Sequence, residues 1–230
     1  MSVLFTRRGG DLLYLNDRFE ANSWEQIIKA CQLNRIPDAW VVGNNKLMTI
    51  DNEVYQIDII GKNHDVYSDG TGYAPLTFQM HDCHRIKHAM NGTDVNRDGW
   101  ENSRMRTTRV PEFIALLPTE VQSALHKVNK LTSAGGTSNT IITTSDDVFL
   151  LSEVEVINTS SQSKPGEGTQ YEYYAKGNSA VKKYKGVDSA YWLRSPVYSN
   201  SGNYCVINGD GAAKVLQPTA SAGVAFAFCF

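Results

Sequence analysis

The sequence lacks an excess of charge of either sign, which excludes some classes of partner. Its 22 basic and 24 acidic residues give a formal net charge of -2. Proteins that bind nucleic acid or an anionic membrane surface electrostatically carry a basic patch or a basic balance. We therefore expect no nucleic-acid partner and no membrane partner.

Long apolar runs are also missing. No stretch reaches the roughly 18 to 20 consecutive apolar residues that span a bilayer. The residues around Arg7 and Arg8 do not lead into the apolar segment of an export signal. We expect neither a membrane span nor an export signal.

Cysteine is scarce, with Cys31, Cys83, Cys205 and Cys229 scattered along 230 residues. A chain of this length buries enough surface to fold without disulfides. The spacing therefore predicts buried free thiols. If a bridge exists, Cys205 and Cys229 would form it.

The first part of the chain predicts an arm, a helix and a hairpin. Residues 1–20 mix charge, glycine and short apolar pieces, which is typical of an attachment arm or an edge strand, and residues 21–230 are predicted to form a single domain. Ser23 and Gln26 form a capping-box pattern that predicts a helix over 23–33. The stretches 46–51 and 53–60 predict a hairpin.

The rest of the chain predicts short helices and then short strands. Helices are expected at 77–90, 111–117 and 119–130, strands at 140–144 and 148–151, and a surface loop at 158–170. The final run places Phe226, Phe228 and Phe230 on one face of a strand, and so in the core. This order predicts an α+β fold with N-terminal helices and a C-terminal region of short antiparallel strands.

Two stretches have metal-ligand spacing. Asp94, Asn96 and Asp98 match the first half of a calcium loop, although the ligand set is incomplete because Met105 stands where a bidentate Glu is needed. An Asx-rich turn explains the same residues. His81, His84 and His88 could share one helix face as zinc ligands, or could be polar residues on an exposed helical face.

Motifs for catalysis are absent from the sequence, so we expect no enzyme activity. There is no nucleophile elbow, and Gly70-Thr71-Gly72 lacks the Lys and helix of a phosphate loop. Glu153 and Glu155, two residues apart, are predicted on a solvated strand face. The basic cluster of Arg104, Arg106 and Arg109 is predicted to form internal ion pairs with the acidic loop at 94–101.

Residues suited to contacting a partner follow a stiff aromatic segment, residues 191–196. Tyrosine supplies contact area at low conformational cost, while Ser, Gly and Asn adapt their hydrogen bonds, as in antibody paratopes. An ordinary turn-rich β region is the alternative interpretation. The candidate ligand-binding residues are Tyr198, Ser199, Asn200, Ser201, Asn203, Tyr204, Asn208 and Asp210.

A series of short motifs resembles a domain family of unassigned function found in bacteriophage structural proteins and in proteins of gut Firmicutes and Bacteroides. That family is related to the C-type-lectin-like fold shared with formylglycine-generating enzymes. Family members usually end in Gly-Val-Arg-Pro-Ala-Phe, whereas Ala225 and Phe226 stand here at the Arg and Pro positions. The similar segments are 23–27, 42–43, 59–65, 99–106, 150–155, 191–196 and 223–224.

The resemblance implies a C-type-lectin-like domain in a phage virion, at the tail or another exposed position of the particle surface. Such a protein would attach to a host-surface glycan or protein and would contact other virion subunits, including copies of itself in a homo-oligomer. Some proteins of this kind have diversified loops near the C-terminus, here 198–217. The alternatives are a structural adaptor or decoration subunit, and an enzyme of the formylglycine-generating type, which would need Cys205 and Cys229 as a reactive pair.

Overall fold

Helices and small antiparallel sheets are mixed along the chain, which makes the fold α+β. The computed structural model describes residues 2–6 and 12–230, with side chains from Tyr14 onward. The helices are α1 Trp24–Gln32, α2 Val110–Ile114, α3 Thr119–Ala124, α4 Glu153–Ile157 and α5 Glu172–Ala175. The strands are β1 Ser2–Thr6, β2 Leu12–Asn16, β3 Asn45–Ile50, β4 Glu53–Lys62, β5 Leu76–Met80, β6 Val128–Ser133, β7 Ile141–Asp146, β8 Val148–Phe149, β9 Lys182–Tyr184, β10 Val187–Ser189, β11 Tyr191–Pro196, β12 Tyr204–Ile207, β13 Ala213–Leu216 and β14 Ala227–Cys229.

The largest sheet has the order β3-β4-β5-β14-β8, so β14 lies between strands that precede it far back in the sequence. Phe228 pairs with Phe78 of β5 on one side and with Val148 of β8 on the other. The rings of Phe78 and Phe228 stack with centroids 5.7 Å apart. Phe226, Phe228 and Phe230 are all buried, as predicted.

Three further sheets position the loops of the candidate site. The order β11-β12-β13 forms one, while β6 pairs with β7 and β9 with β10. Strand β11 is buried along its whole length. Because β12 follows directly after residues 197–203, this loop stands at the end of a rigid strand pair.

Local sequence signals are confirmed where a short segment decides its own structure. Ser23 caps α1 through a complete capping box, in which its hydroxyl accepts from the Gln26 N–H and the Gln26 side chain accepts from the Ser23 N–H. The predicted hairpin is β3–β4, and Asp51 and Asn52 at its turn both have positive φ. The four cysteines are buried and free, without a bridge between Cys205 and Cys229.

The helix predicted at 77–90 is wrong. Residues 76–80 form β5, which pairs with β4 and β14, and residues 81–90 continue in bends and irregular backbone with one bridge from His88 to Ala222. The predicted helix at 119–130 ends at Ala124, because Val128, Lys130 and Thr132 alternate toward the interior in β6. Partner strands distant in sequence override the local helical preference at both places.

The helix predicted at 111–117 is shorter and begins earlier, at Val110, after a π-helical turn Met105–Arg109. The C-terminal part does consist of short antiparallel strands, β9 to β14, but the N-terminal part is not mainly helical, because β1 to β5 precede α2. Arg106 and Arg109 do form internal ion pairs, but with Asp146 and Glu112 instead of the 94–101 loop.

The end of the N-terminal segment, from Leu15 to Phe19, contacts the core. Strands β1 and β2 pair antiparallel, and Leu15 and Phe19 are buried in the core. The indole N–H of Trp40 donates to the Asn16 carbonyl over 2.9 Å. Residues 1 and 7–11 of the predicted arm lie outside the described residues, and the attachment role stays a prediction.

Candidate functional site

One buried asparagine fixes the loop that carries most of the predicted ligand-binding residues. The Asn96 side chain is fully buried, and its Nδ2 donates to the carbonyls of Val197, Asn200 and Asn203 at 3.1, 3.0 and 2.6 Å. The Asn96 backbone N–H donates to the Ser201 carbonyl over 2.8 Å. Residues 197–203, here called the clamped loop, are therefore held at several points by one residue.

The clamped loop directs part of its side chains outward. Ser199 and Ser201 are exposed, and Tyr198 is half-buried. The Tyr198 hydroxyl donates to Asn139 Oδ1 over 2.6 Å, and Lys164 Nζ lies 4.4 Å from the centre of the Tyr198 ring. Tyrosine, amide and ammonium groups thus meet at one edge of the surface.

A polar groove of about 530 Å³ runs beside the clamped loop. Arg97 and Ser201 line it together with residues 134–138. Gly135 has φ of +86°, and a Cβ there would lie 2.2 Å from the Asn96 carbonyl oxygen. Only glycine fits at this contact, so the 134–138 wall packs directly against the residue that holds the clamped loop.

The remaining predicted ligand residues are placed differently. Asn208 and Asp210 form the turn between β12 and β13, at the opposite end of β12 from the clamped loop, and Asp210 Oδ1 accepts from the Ala212 N–H over 2.9 Å. Tyr204 is buried, and its hydroxyl donates to the Gly99 carbonyl over 2.7 Å. The predicted set therefore divides into an exposed loop, a distant turn and a supporting core tyrosine.

The predicted calcium residues have protein partners of their own. Asn96 Oδ1 accepts from the Gly136 N–H over 3.1 Å, and Asp94 Oδ1 accepts from the Thr219 hydroxyl. Asp98 is exposed beside them. Among residues 12–230, no group of three or more His, Cys, Asp or Glu side chains could hold a metal ion. Calcium at this loop stays a prediction.

The three histidines do not share a helix face. His84 is buried with an unpartnered Nε2, while His81 Nδ1 lies 2.6 Å from Asp58 Oδ2. Burial lowers the pKa of His84 to about 4 and nearby His88 adds to the effect. The ring of His84 therefore stays neutral in the interior.

A fully buried ionic cluster lies beneath the loops. Arg194 pairs with Glu155 through two bonds of 2.5 and 2.8 Å, and also donates to the carbonyls of Leu131, Leu150 and Glu167. Burial alone would raise the pKa of Glu155, but the charges of Arg194 and Lys130 hold it at about 2. The expectation that Glu155 lies on a solvated strand face is wrong, because helix α4 turns it inward.

Glu153 is also buried on α4, which corrects the same expectation for this residue. Its carboxylate accepts from the Ser161 hydroxyl at 2.6 Å and from the Ser163 N–H at 2.8 Å. The predicted surface loop at 158–170 is thus tied to the core at one end by Glu153. Glu167 ties it at the other, accepting from the Ser133 N–H over 2.8 Å.

A pocket of about 580 Å³ opens onto this cluster. Asp65, Lys130 and Glu155 lie at its inner side. His64 stacks on Tyr171 with ring centres 4.0 Å apart, and burial lowers the pKa of His64. The pocket therefore combines a neutral imidazole with closely paired charges.

Comparison with known proteins gives one family. A family model described as a domain of unknown function, DUF6273, matches residues 80–230. The chain belongs to the DUF6273 family. No curated protein matches the chain, and neither does any solved structure.

The DUF6273 match includes Asn96, the clamped loop, Glu155 and Arg194, whereas Asp65 and His64 lie before it. The match begins later than the resemblance, whose first similar segment is 23–27, and it carries no indication of a phage protein or of a C-type-lectin-like fold. In residues 12–230, no helix has the length and apolar character needed to cross a membrane. Because the DUF6273 family has no described function, the function of this chain has to be inferred from the geometry of the site.

Sequence reasoning missed the residues that hold the site together. Arg194 stands alone in an apolar segment, and Ser152 with Glu155 forms a second capping box, so a buried charge and a helix start were both visible in the sequence. An isolated charge in an apolar run indicates a buried partner. The local pattern singled out Asn96 only as a calcium-loop residue and did not reveal its clamping role, because its bonding partners lie about a hundred residues further along.

Proposed function

We propose that this chain is a binding module that contacts a glycan or protein on a host surface through the clamped loop and the adjacent groove. The observation that carries the proposal is the Asn96 clamp. It fixes the backbone of residues 197–203 while Ser199 and Ser201 remain exposed. A loop ordered before it binds loses less conformational entropy on association.

The chemistry of the face also supports recognition. Tyr198, Asn139 and Lys164 offer an aromatic ring, an amide and a cation within one hydrogen-bonded group. Such groups give orientation and specificity to a contact surface. Asn208 and Asp210 lie at the far end of β12, so in this proposal they contribute only to an extended partner.

In its more specific form, the proposal places the module in a phage virion, as an exposed tail or surface protein. It would have a C-type-lectin-like domain and assemble as a homo-oligomer. The family resemblance supports this reading, as does a stiff aromatic core beneath polar loops. The enzyme alternative receives no support from the thiols, because burial raises the pKa of both Cys205 and Cys229 well above the usual range.

Binding of the purified protein to intact candidate host cells tests the proposal. We expect the double variant Tyr198→Ala with Ser201→Ala to lose at least about tenfold in affinity, which corresponds to about 1.4 kcal/mol. Tyr73→Ala, which removes an exposed tyrosine from the β4–β5 connection, serves as the control and should bind normally. Equal binding by both variants, or no binding to any host cell, would contradict the proposal.

An EDTA arm of the same assay addresses the acidic loop. Loss of binding on chelation, restored by added calcium, would support a calcium site at Asp94, Asn96 and Asp98. Binding that is insensitive to EDTA would leave these residues with the role of an Asx-rich turn.

A structural adaptor is the second candidate, because two apolar side chains lie open on one face of a hairpin. Leu47 and Val54 are 61% and 62% exposed, on the same face of the β3–β4 hairpin. Neighbouring exposed apolar side chains favour contact with another subunit. Charged substitutions at Leu47 and Val54 that block assembly into particles, with host binding intact, would support this role.

A further inference from the structure

The buried amino group of Lys130 lies against a carboxyl group at the inner side of the 580 Å³ pocket. Lys130 Nζ is 2.7 Å from Asp65 Oδ1, and the two side chains are 3% and 2% exposed. Lys130 belongs to β6, and Asp65 follows β4. Two reactive groups from distant parts of the chain are therefore held in contact.

We propose that Lys130 and Asp65 condense to an intramolecular isopeptide bond between Nζ and Cγ. Lys130 Nζ also lies 2.8 Å from Glu155 Oε1 and 2.9 Å from the Tyr171 hydroxyl, so hydrogen bonds hold it in place. Such positioning turns a slow bimolecular reaction into an intramolecular one with a high effective concentration.

The step needs no further reactant. The ammonium and the carboxylate together have the atoms of the amide plus those of one water molecule. Nζ forms a bond to Cγ, the bond from Cγ to one carboxyl oxygen breaks, and this oxygen leaves as water with two of the ammonium protons. The third proton stays on the amide nitrogen.

The surrounding side chains suit each part of this step. The Thr77 hydroxyl donates to Asp65 Oδ2 over 2.6 Å and so distinguishes the two oxygens, while the Tyr171 hydroxyl lies 2.9 Å from Oδ2 and 3.0 Å from Oδ1. These donors stabilise negative charge on the oxygen that becomes the amide carbonyl, as in an oxyanion hole. Oδ1, the oxygen next to Nζ, is then the one that leaves.

Glu155 is placed to transfer the proton. Its Oε1 lies 2.8 Å from Nζ, so it accepts a proton from the ammonium before the resulting amine attacks Cγ, and it then passes this proton to the departing oxygen. Arg194 and Lys130 hold the pKa of Glu155 at about 2 against burial, so the group is ionised before the step and, once protonated, gives its proton readily to the departing oxygen. Arg194 keeps this carboxylate in a fixed orientation through two bonds.

Burial favours the amide over the ion pair. Removing an ammonium and a carboxylate from water is costly, and a neutral amide avoids this cost. The Arg194–Glu155 pair remains balanced after the condensation, because one positive and one negative charge disappear together. The leaving water has an exit, since Asp65, Lys130 and Glu155 all line the 580 Å³ pocket.

The intact mass of the purified, denatured wild-type protein is the deciding measurement. We expect a mass lower by one water molecule than the sequence requires, and a branched peptide joining Lys130 to Asp65 after proteolysis. A full sequence mass refutes the proposal. A mass lower by one water molecule but without the branched peptide also refutes it, because succinimide formation at Asp69-Gly70 or Asp98-Gly99 would lower the mass by the same amount.

Variants separate the bond from other modifications. Lys130→Arg should retain the full mass, because the guanidinium does not form this amide. Asp65→Asn should lose ammonia in place of water and give the same branched product. Lys127→Arg, at an exposed lysine 3.9 Å from Asp147, is the matched control and should still lose one water molecule. Water loss that persists at the wild-type level in Lys130→Arg would overturn the assignment.

Discussion

Replacing Arg194 with methionine should remove most of the stability of the fold. Arg194 is 0% exposed and holds Glu155 through two bonds. Breaking a buried ion pair costs about 3–5 kcal/mol, and we take the lower value because Lys130 Nζ, as an ammonium or as an amide N–H, remains a donor 2.8 Å from Glu155 Oε1. The carbonyls of Leu131, Leu150 and Glu167 also lose a donor, at about 1 kcal/mol each.

The total is on the order of 6 kcal/mol, comparable with the whole stability of a typical domain, about 5–15 kcal/mol. Urea unfolding followed by tryptophan fluorescence measures this loss, and Trp192 of β11 lies two residues from the substitution. Because Arg194→Met can fail to fold, Arg194→Lys provides a second measurement. Lysine keeps the charge but not the bidentate geometry, and we expect a loss on the order of 3 kcal/mol.

Arg18→Met is the matched control. Arg18 pairs with Glu20 at the surface, with side-chain exposures of 76% and 51%, and such pairs contribute under about 1 kcal/mol. A free energy of unfolding for Arg194→Met within about 1 kcal/mol of the wild type would refute this account of the buried cluster.

Two further predictions concern the clamp and a buried histidine. Gly135→Ala should unfold the protein or detach the clamped loop, because its Cβ would lie 2.2 Å from the Asn96 carbonyl oxygen. Gly177→Ala is the control, because Gly177 has a similar positive φ but open space around it, and it should lower the melting temperature far less. Thermal melting followed by circular dichroism measures both. Stability should fall as pH drops from about 6.5 toward 4, since the unfolded chain protonates His84 while the folded chain, with the pKa of His84 at about 4, resists it. The dependence of the free energy of unfolding on pH between 6.5 and 4 should weaken in His84→Gln, and an unchanged dependence would contradict this role for His84.

The sequence predicted best those elements whose signals are local. The Ser23–Gln26 capping box and the β3–β4 turn at Asp51-Asn52 each need only neighbouring residues, and both are confirmed. The exposure of Ser199 and Ser201 also agrees with the polar composition of that loop. Free buried cysteines agree with the length of the chain.

Elements decided by distant partners were predicted wrongly. The segment after Ala124 becomes β6 because β7 pairs with it, and residues 76–80 become β5 because β4 and β14 enclose them. Glu155 is buried because Arg194 meets it, and a single sequence does not reveal that pairing. The candidate site depends on such contacts, so its exposed residues were predictable while the residues that hold them were not.

The position of β14 has a consequence for how the chain reaches its native state. Phe228 pairs with Phe78 and Val148, so until residues 227–229 arrive β5 has β4 on one side only and β8 lacks the strand that joins it to this sheet. Until then the two strands present open edges, which are prone to pair with other chains. Contacts this far apart in sequence also close slowly. Nascent or truncated forms of this protein should therefore need help from chaperones, whereas the completed fold should not.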